Sequence, residues 1–240
     1  LQAVLDAFKT AETVESFENE INTPSNKINN LDLNEDGEVD YIQVIDNVEE
    51  DAHALILRIE VSEEESQDVA VIELEKTGDN NALIQLIGDE ELYGEDYIVE
   101  PIDAITTGNM PPAFVTVNVW GWPAVRFIYG ASYKPWKSPW RWQHYPSHWK
   151  PWKPYKKATY HSFHKHHQKH YNVVHVHRTG HAHKIYHKHR KSWKHIKNHN
   201  HHHNNHKKVH KNGHKNAHKK ANKGGNKKAH KNAHKKKHKH

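Results

Sequence analysis

The chain contains no cysteine, which removes disulfides and thiolate metal ligation and leaves the redox compartment open. It has no run of 18 or more apolar residues, so no segment qualifies as a membrane-spanning helix. Acid is missing from more than half of it. All 29 Asp and Glu lie between Asp6 and Asp103, where Lys9, Lys27, Arg58 and Lys76 are the only Lys or Arg, so residues 1–103 carry a formal −25. Residues 104–240 hold no acid and the other 31 Lys and Arg, a formal +31, and the net +6 conceals both poles. Such fields govern partners rather than fold. The head is expected to attract cations, the tail polyanions, and each the other. The chain begins at Leu1 inside an expected helix, so an initiator was removed or never included, and an export signal can be suspected but not read.

Local patterns predict an α+β fold. Leu1, Val4, Leu5 and Phe8, then Val14, Phe17 and Ile21, recur at helical spacing with Thr10 as a cap between them, giving one or two N-terminal helices. Alternating apolar residues predict strands over Val39–Val48 and His53–Val61, then a second hairpin over Val69–Glu75 and Ala82–Ile87. Tyr97, Ile98 and Val99 suit a short fifth strand before Pro101. The expected result is a small antiparallel sheet with the helices packed on one face. Three segments follow from composition: an acidic α+β domain at 1–105, a linker and aromatic, proline-rich basic segment at 106–155, and a His/Lys-rich low-complexity tail at 156–240. In the middle segment, Phe114–Val119 and Val125–Tyr129 are expected to pair as a last hairpin, and no regular packing is expected past Tyr133.

The sharpest chemical pattern is Asp32, Asn34, Asp36, Gly37 and Asp40, in the form D-x-N-x-D-G-x-x-D. Calcium takes six to eight oxygen ligands, and alternating side chains of a tight loop converge on one ion while Gly permits the turn. Glu38 would contribute its backbone carbonyl and Asp40 would bind directly or through water. An EF-hand needs a bidentate Glu three positions on, where this chain has Gln43 and a strand pattern. The competing reading is an ordinary Asn/Asp/Gly turn. The loop resembles the hairpin calcium loops of FG-GAP and integrin-type repeats.

Taken with DAHALILRIEV, QDVAVIELEK, GDEELYGEDYIVEP and the Trp/Tyr/Pro segment, the stretch INNLDLNEDGEVDYIQVID resembles a family of uncharacterised exported Bacteroidota proteins over roughly residues 1–150. That resemblance implies a periplasmic, cell-surface or secreted location and transfers no catalytic residue.

Residues 120–152 hold seven of the eight tryptophans. Trp136, Trp140, Arg141, Trp142, Trp149 and Trp152 could meet a membrane surface or a glycan, since indoles favour the interface and cations the anionic headgroup; packing of the rings on the acidic domain is the alternative. Residues 161–240 hold 24 of the 27 histidines, with a four-residue repeat through His206, His210, His214 and His218. So polar a segment is expected to be disordered. His199 with His203 and His210 with His214 are spaced to chelate Zn²⁺, Ni²⁺ or Cu²⁺ if helical. Its charge suits lipopolysaccharide, acidic polysaccharide or nucleic acid. The only head histidine, His53, has no nucleophile motif beside it, so no enzyme is expected. The expected function is a calcium-binding envelope or secreted protein with a polycationic tail. The alternative is a metal-buffering or nucleic-acid-binding protein whose acidic head keeps it soluble.

Overall fold

A computed structural model describes residues 1–94, 97–105 and 113–194. The expected tail ligands His199, His203, His206, His210, His214 and His218 lie outside the described residues.

Two helices open the chain, α1 (Gln2–Thr10) and α2 (Val14–Ile21). Their spacing buries Leu5, Phe8, Phe17 and Ile21 on one side, with the Phe8 and Phe17 rings edge to face at 5.2 Å. The break between them is made by Thr13 and not by Thr10. Thr13 and Ser16 cap each other reciprocally, each side chain accepting the other's backbone N–H at 3.0 Å, which satisfies two otherwise orphaned donors. Thr10 bonds back to carbonyls of its own last turn.

An antiparallel sheet follows: β1 (Gln43–Glu49), β2 (Ala52–Glu60), β3 (Ser66–Gly78), β4 (Asn81–Gly88), β5 (Ile98–Ile105) and β6 (Ala113–Thr116), paired in that order. A one-turn helix, α3 (Glu90–Tyr93), lies between β4 and β5. The fold class is therefore α+β. Residues 39–42 precede β1 instead of joining it, because their amides are bound elsewhere: Val39 to the Trp152 carbonyl, Asp40 to Leu31, Ile42 to the Asn22 side chain.

Both faces of the sheet are covered, not one. Leu55, Leu57, Ile59, Ile72, Leu74 and Leu86 pack with α1, α2 and α4 (Pro123–Ile128). Ala54, Ile56, Val71, Ile87 and Ile98 point the other way and pack against Ala182, Ile185 and Tyr186 of α6 (Gly180–His189). Burial along β2 is unbroken from Ala52 to Ile59, as a strand covered on both faces requires.

Beyond β5 the expectations need correction. The hairpin over 114–119 and 125–129 does not form: Ala113–Thr116 pairs with β5, and Pro123 opens α4, burying Val125 and Ile128. Proline suits that first helical position because its missing N–H has no partner there in any case. Regular structure also continues past Tyr133 and into the His/Lys-rich stretch, with α5 (Lys157–His164), β7 (Tyr171–Val174) on β5, and α6. One compact unit runs from Leu1 to Trp193.

The aromatic segment lies along edge strand β1. Asp46 N–H donates to the Trp136 carbonyl at 2.7 Å and Ser138 N–H to Val44 at 3.0 Å, so the otherwise open edge is paired. Buried Glu18 ties this segment to α2 and β1, accepting from Tyr41 Oη, Val44 N, Trp136 Nε1 and Ser138 Oγ at 2.8–3.0 Å. Burial raises its pKa and those donors oppose the rise. Trp149 is buried against Tyr41 and Tyr145, while Trp136, Trp140, Trp142 and Trp152 are half-buried and Arg141 is exposed.

Candidate metal centre

Alternation along β3 sends Glu73 and Glu75 to the same face as Val71, towards α6, while Ile72 and Leu74 face α1 and α2. Two carboxylates on a core-facing strand require donors, and the chain supplies them from 100 or more residues on. Glu75 Oε1 accepts the backbone N–H groups of His181 and Ala182 at 2.6 and 2.8 Å, the favoured place for an anion at the N-terminus of a helix. Glu73 is fully buried. Its Oε2 lies 2.6 Å from the Thr179 hydroxyl, and its Oε1 lies 2.7 Å from His183 Nδ1.

His183 sits one turn into α6, and His187 follows one turn later on the same side. Their Nε2 atoms are 2.9 Å apart, with the rings perpendicular. Burial and then the charge of His183 hold the His187 pKa below the usual histidine range, which favours the neutral, ligating form. His177, from the loop before α6, lies beside His183 with ring centroids 4.1 Å apart and ring planes tilted by 45°. Ligand atoms of Glu73, His177 and His183 all lie within 4.8 Å of one another. These three residues form a group that could hold a metal ion. A cavity of about 130 Å³ adjoins it, lined by His177, His183, His187, Asp89, Tyr186 and Arg190 among others. Arg190 is fixed there by Asp89 at 2.7 Å.

The Asp32 loop has the turns that its sequence predicts. Gly37 has φ +87° and Glu35 φ +61°, the left-handed region that Gly enters without strain. Asp32 Oδ2 accepts from Gly37 N at 3.0 Å, Asn34 Oδ1 from Asp36 N at 3.0 Å, Asp36 Oδ1 from Glu38 N at 2.9 Å, and Asp40 Oδ2 from Leu33 N at 2.6 Å. Asp32 Oδ1 is buried without a hydrogen-bond partner. Burial pushes the Asp40 carboxyl up to about 6, with Asp36 and Asp32 adding to the rise and backbone donors opposing it. Asp36 and Glu38 are exposed. Among the described residues, the one group of three His, Asp or Glu ligand atoms within 4.8 Å is that of Glu73, His177 and His183, so the loop acids stand farther apart.

No protein-family model, curated protein or solved structure matches the chain.

None of the histidines singled out in the sequence belongs to the Glu73 group, which draws instead on the earlier part of the His/Lys-rich stretch. The signal was present in VIELEK and in HKIYH. Two acids two residues apart in an apolar strand share a face, and histidines four apart share a helix face. What could not be read was that the two faces meet. His53, by contrast, is a satisfied core histidine, its Nδ1 2.9 Å from Asp46 Oδ2.

Proposed function

We propose that the protein is a non-enzymatic metal-binding protein whose principal site takes a transition metal ion of the zinc class at Glu73, His177 and His183. The observation that carries this reading is a fully buried strand carboxylate met by an imidazole from 110 residues away, with a second imidazole in ligand range. Neutral nitrogen donors with one carboxylate suit Zn²⁺, Cu²⁺ or Ni²⁺ better than the hard cations, which prefer all-oxygen sites. Strand, loop and helix each contribute one ligand. Metal therefore fastens the later part of the chain to the sheet as well as being held by it.

Competition titration of the full chain against a zinc chelator tests this. The His177→Ala/His183→Ala double variant should bind its first zinc equivalent at least 100-fold more weakly, with its circular dichroism unchanged. An unchanged first equivalent would place zinc binding elsewhere and end the proposal.

A second reading, calcium at Asp32, Asn34, Asp36, the Glu38 carbonyl and Asp40, is favoured by the unpartnered buried Asp32 Oδ1. Affinity on the order of 10⁻⁴ to 10⁻³ M is expected, as in extracellular modules. Calorimetry should show binding that Asp36→Asn abolishes, and no heat at millimolar calcium would refute it. The acid-free cationic half supports polyanion binding by charge neutralisation.

A further inference from the structure

We infer that Gln85, acting with Thr179, is the positioning residue of the metal centre and sets Glu73, His177 and His183 in place before an ion arrives. The inference rests on the metal-binding reading above and assigns what prepares that site.

Gln85 of β4 stands directly across from Glu73 of β3 in the strand register, so the two side chains emerge on the same face of the sheet. The Gln85 amide is buried, and a buried amide needs partners for both its oxygen and its nitrogen. Oε1 accepts from Arg178 N–H at 2.7 Å and from Thr179 N–H at 3.3 Å, while Nε2 donates to the Val176 carbonyl at 2.9 Å and to Glu100 at 2.6 Å. Val176 and Arg178 flank His177. One planar side chain thus serves as a strand-like partner for the backbone around His177 and fixes the point at which that imidazole leaves the chain.

Thr179 carries the same constraint to the other two ligands. It is the N-cap of α6, a position at which a threonine hydroxyl ordinarily accepts an N–H of its own first turn. Here that task falls to Glu75, which takes the His181 and Ala182 amides. The buried Thr179 hydroxyl lies instead between Glu73 Oε2 at 2.6 Å and Gln85 Oε1 at 2.9 Å. A hydroxyl has one proton to give, and the nearer carboxylate is the stronger acceptor. Holding Oε2 in this way directs the other oxygen of Glu73 at His183. The Thr179 carbonyl accepts His183 N–H at 2.9 Å, which ties the backbone of His183 to the same residue. Two buried side chains that are not themselves ligands therefore set the strand, loop and helix ligands against one another. Partners of this kind are worth about 10- to 100-fold in metal affinity, because a site already in place loses less freedom when the ion binds.

Zinc affinity of the full chain, measured against a competing chelator on variants whose circular dichroism matches the wild type, provides the test. Gln85→Met keeps the length of the side chain without its amide and should bind the first equivalent about 10- to 100-fold more weakly. Asn22→Leu is the control. Asn22 is an equally buried amide that holds both the N–H and the carbonyl of Ile42, at the end of α2 on the opposite face of the sheet. Its replacement should lower resistance to urea yet leave zinc affinity within about twofold of wild type. Thr179 decides the matter independently if Gln85→Met does not fold: Thr179→Val, isosteric but without the hydroxyl, should weaken zinc binding, and Thr179→Ser should restore it. Unchanged affinity in Gln85→Met or Thr179→Val, or equal weakening in Asn22→Leu or Thr179→Ser, overturns the assignment. Wild-type affinity in the His177→Ala/His183→Ala variant would instead remove the metal-binding reading itself.

Discussion

Among single side chains, the acids of the head divide into those that later cations and amides satisfy and those left crowded. Asp68 belongs to the first kind. Arg58 binds it from within the sheet at 2.5 Å and Lys191 N–H approaches it at 2.8 Å. Asp40 belongs to the second. Its carboxyl, ordinarily near 3.8, stands at about 6 in the folded chain. A carboxylate raised on folding adds relative stability below its unfolded pKa, and that contribution is lost as pH rises through the folded value. Asp40→Asn should therefore stabilise the calcium-free chain at pH 7.5 by on the order of 2 kcal/mol and hardly at all at pH 4, since one pKa unit is worth about 1.4 kcal/mol. Urea denaturation at both pH values checks it, and an equal effect at the two would show that the charge is not the cause. Glu18 makes the opposite point. Its removal leaves two buried and two half-buried donors without their acceptor, so Glu18→Ala should cost about 3 kcal/mol in the same assay. The loop residues were legible because their spacing is local. Glu18 was not, because its donors lie as far off as Ser138.

Among elements, α6 decides how the second face of the sheet is closed. Burial of β2 on both sides was not expected from the sequence, because the residues that cover its second side sit in a segment whose composition argues for disorder. Only Ala182, Ile185 and Tyr186 of α6 are buried. Polar anchors supplement this narrow stripe: Glu75 at its N-terminus, Arg58 donating to the His189 carbonyl at 2.9 Å, and Tyr186 with Arg190 on Asp89. Ile185→Ala should cost about 2–5 kcal/mol, the range for buried Ile truncations. Hydrogen exchange should show faster opening of α6 amides than of β2 amides in that variant. Equal acceleration throughout would mean that α6 does not open separately from the sheet. The backbone pairing of the aromatic segment was hidden for a related reason. Its prolines and tryptophans look irregular in sequence, but irregular backbone can still pair with an edge strand, as Trp136 and Ser138 do with β1.

Over the whole molecule, the opposed charges of the two halves are partly used against each other. Arg178 pairs with Glu100, Lys188 with Glu49 and Arg190 with Asp89, at 2.7–2.9 Å, and His167 and Tyr171 both bond Asp6. Polyanion binding must then draw on cations that the head does not hold. Heparin affinity should fall steeply and linearly in logarithm with added salt, each neutralised phosphate- or sulfate-like charge contributing a slope near −0.7 to −0.9. Arg178→Ala should leave that slope unchanged, because its charge faces Glu100, and a lower slope would place Arg178 at the binding surface. Charge segregation was plain in the sequence, whereas the fastening of residues 157–193 to the head depended on which acids the sheet buries. The central claim is that this fastening creates a transition-metal centre. Anomalous diffraction at the zinc edge from crystals of the full chain grown with one equivalent of zinc tests it most directly. The claim predicts a single strong peak bounded by Glu73, His177, His183 and His187; a chain with α6 in place, zinc bound elsewhere and no peak at that position would contradict it.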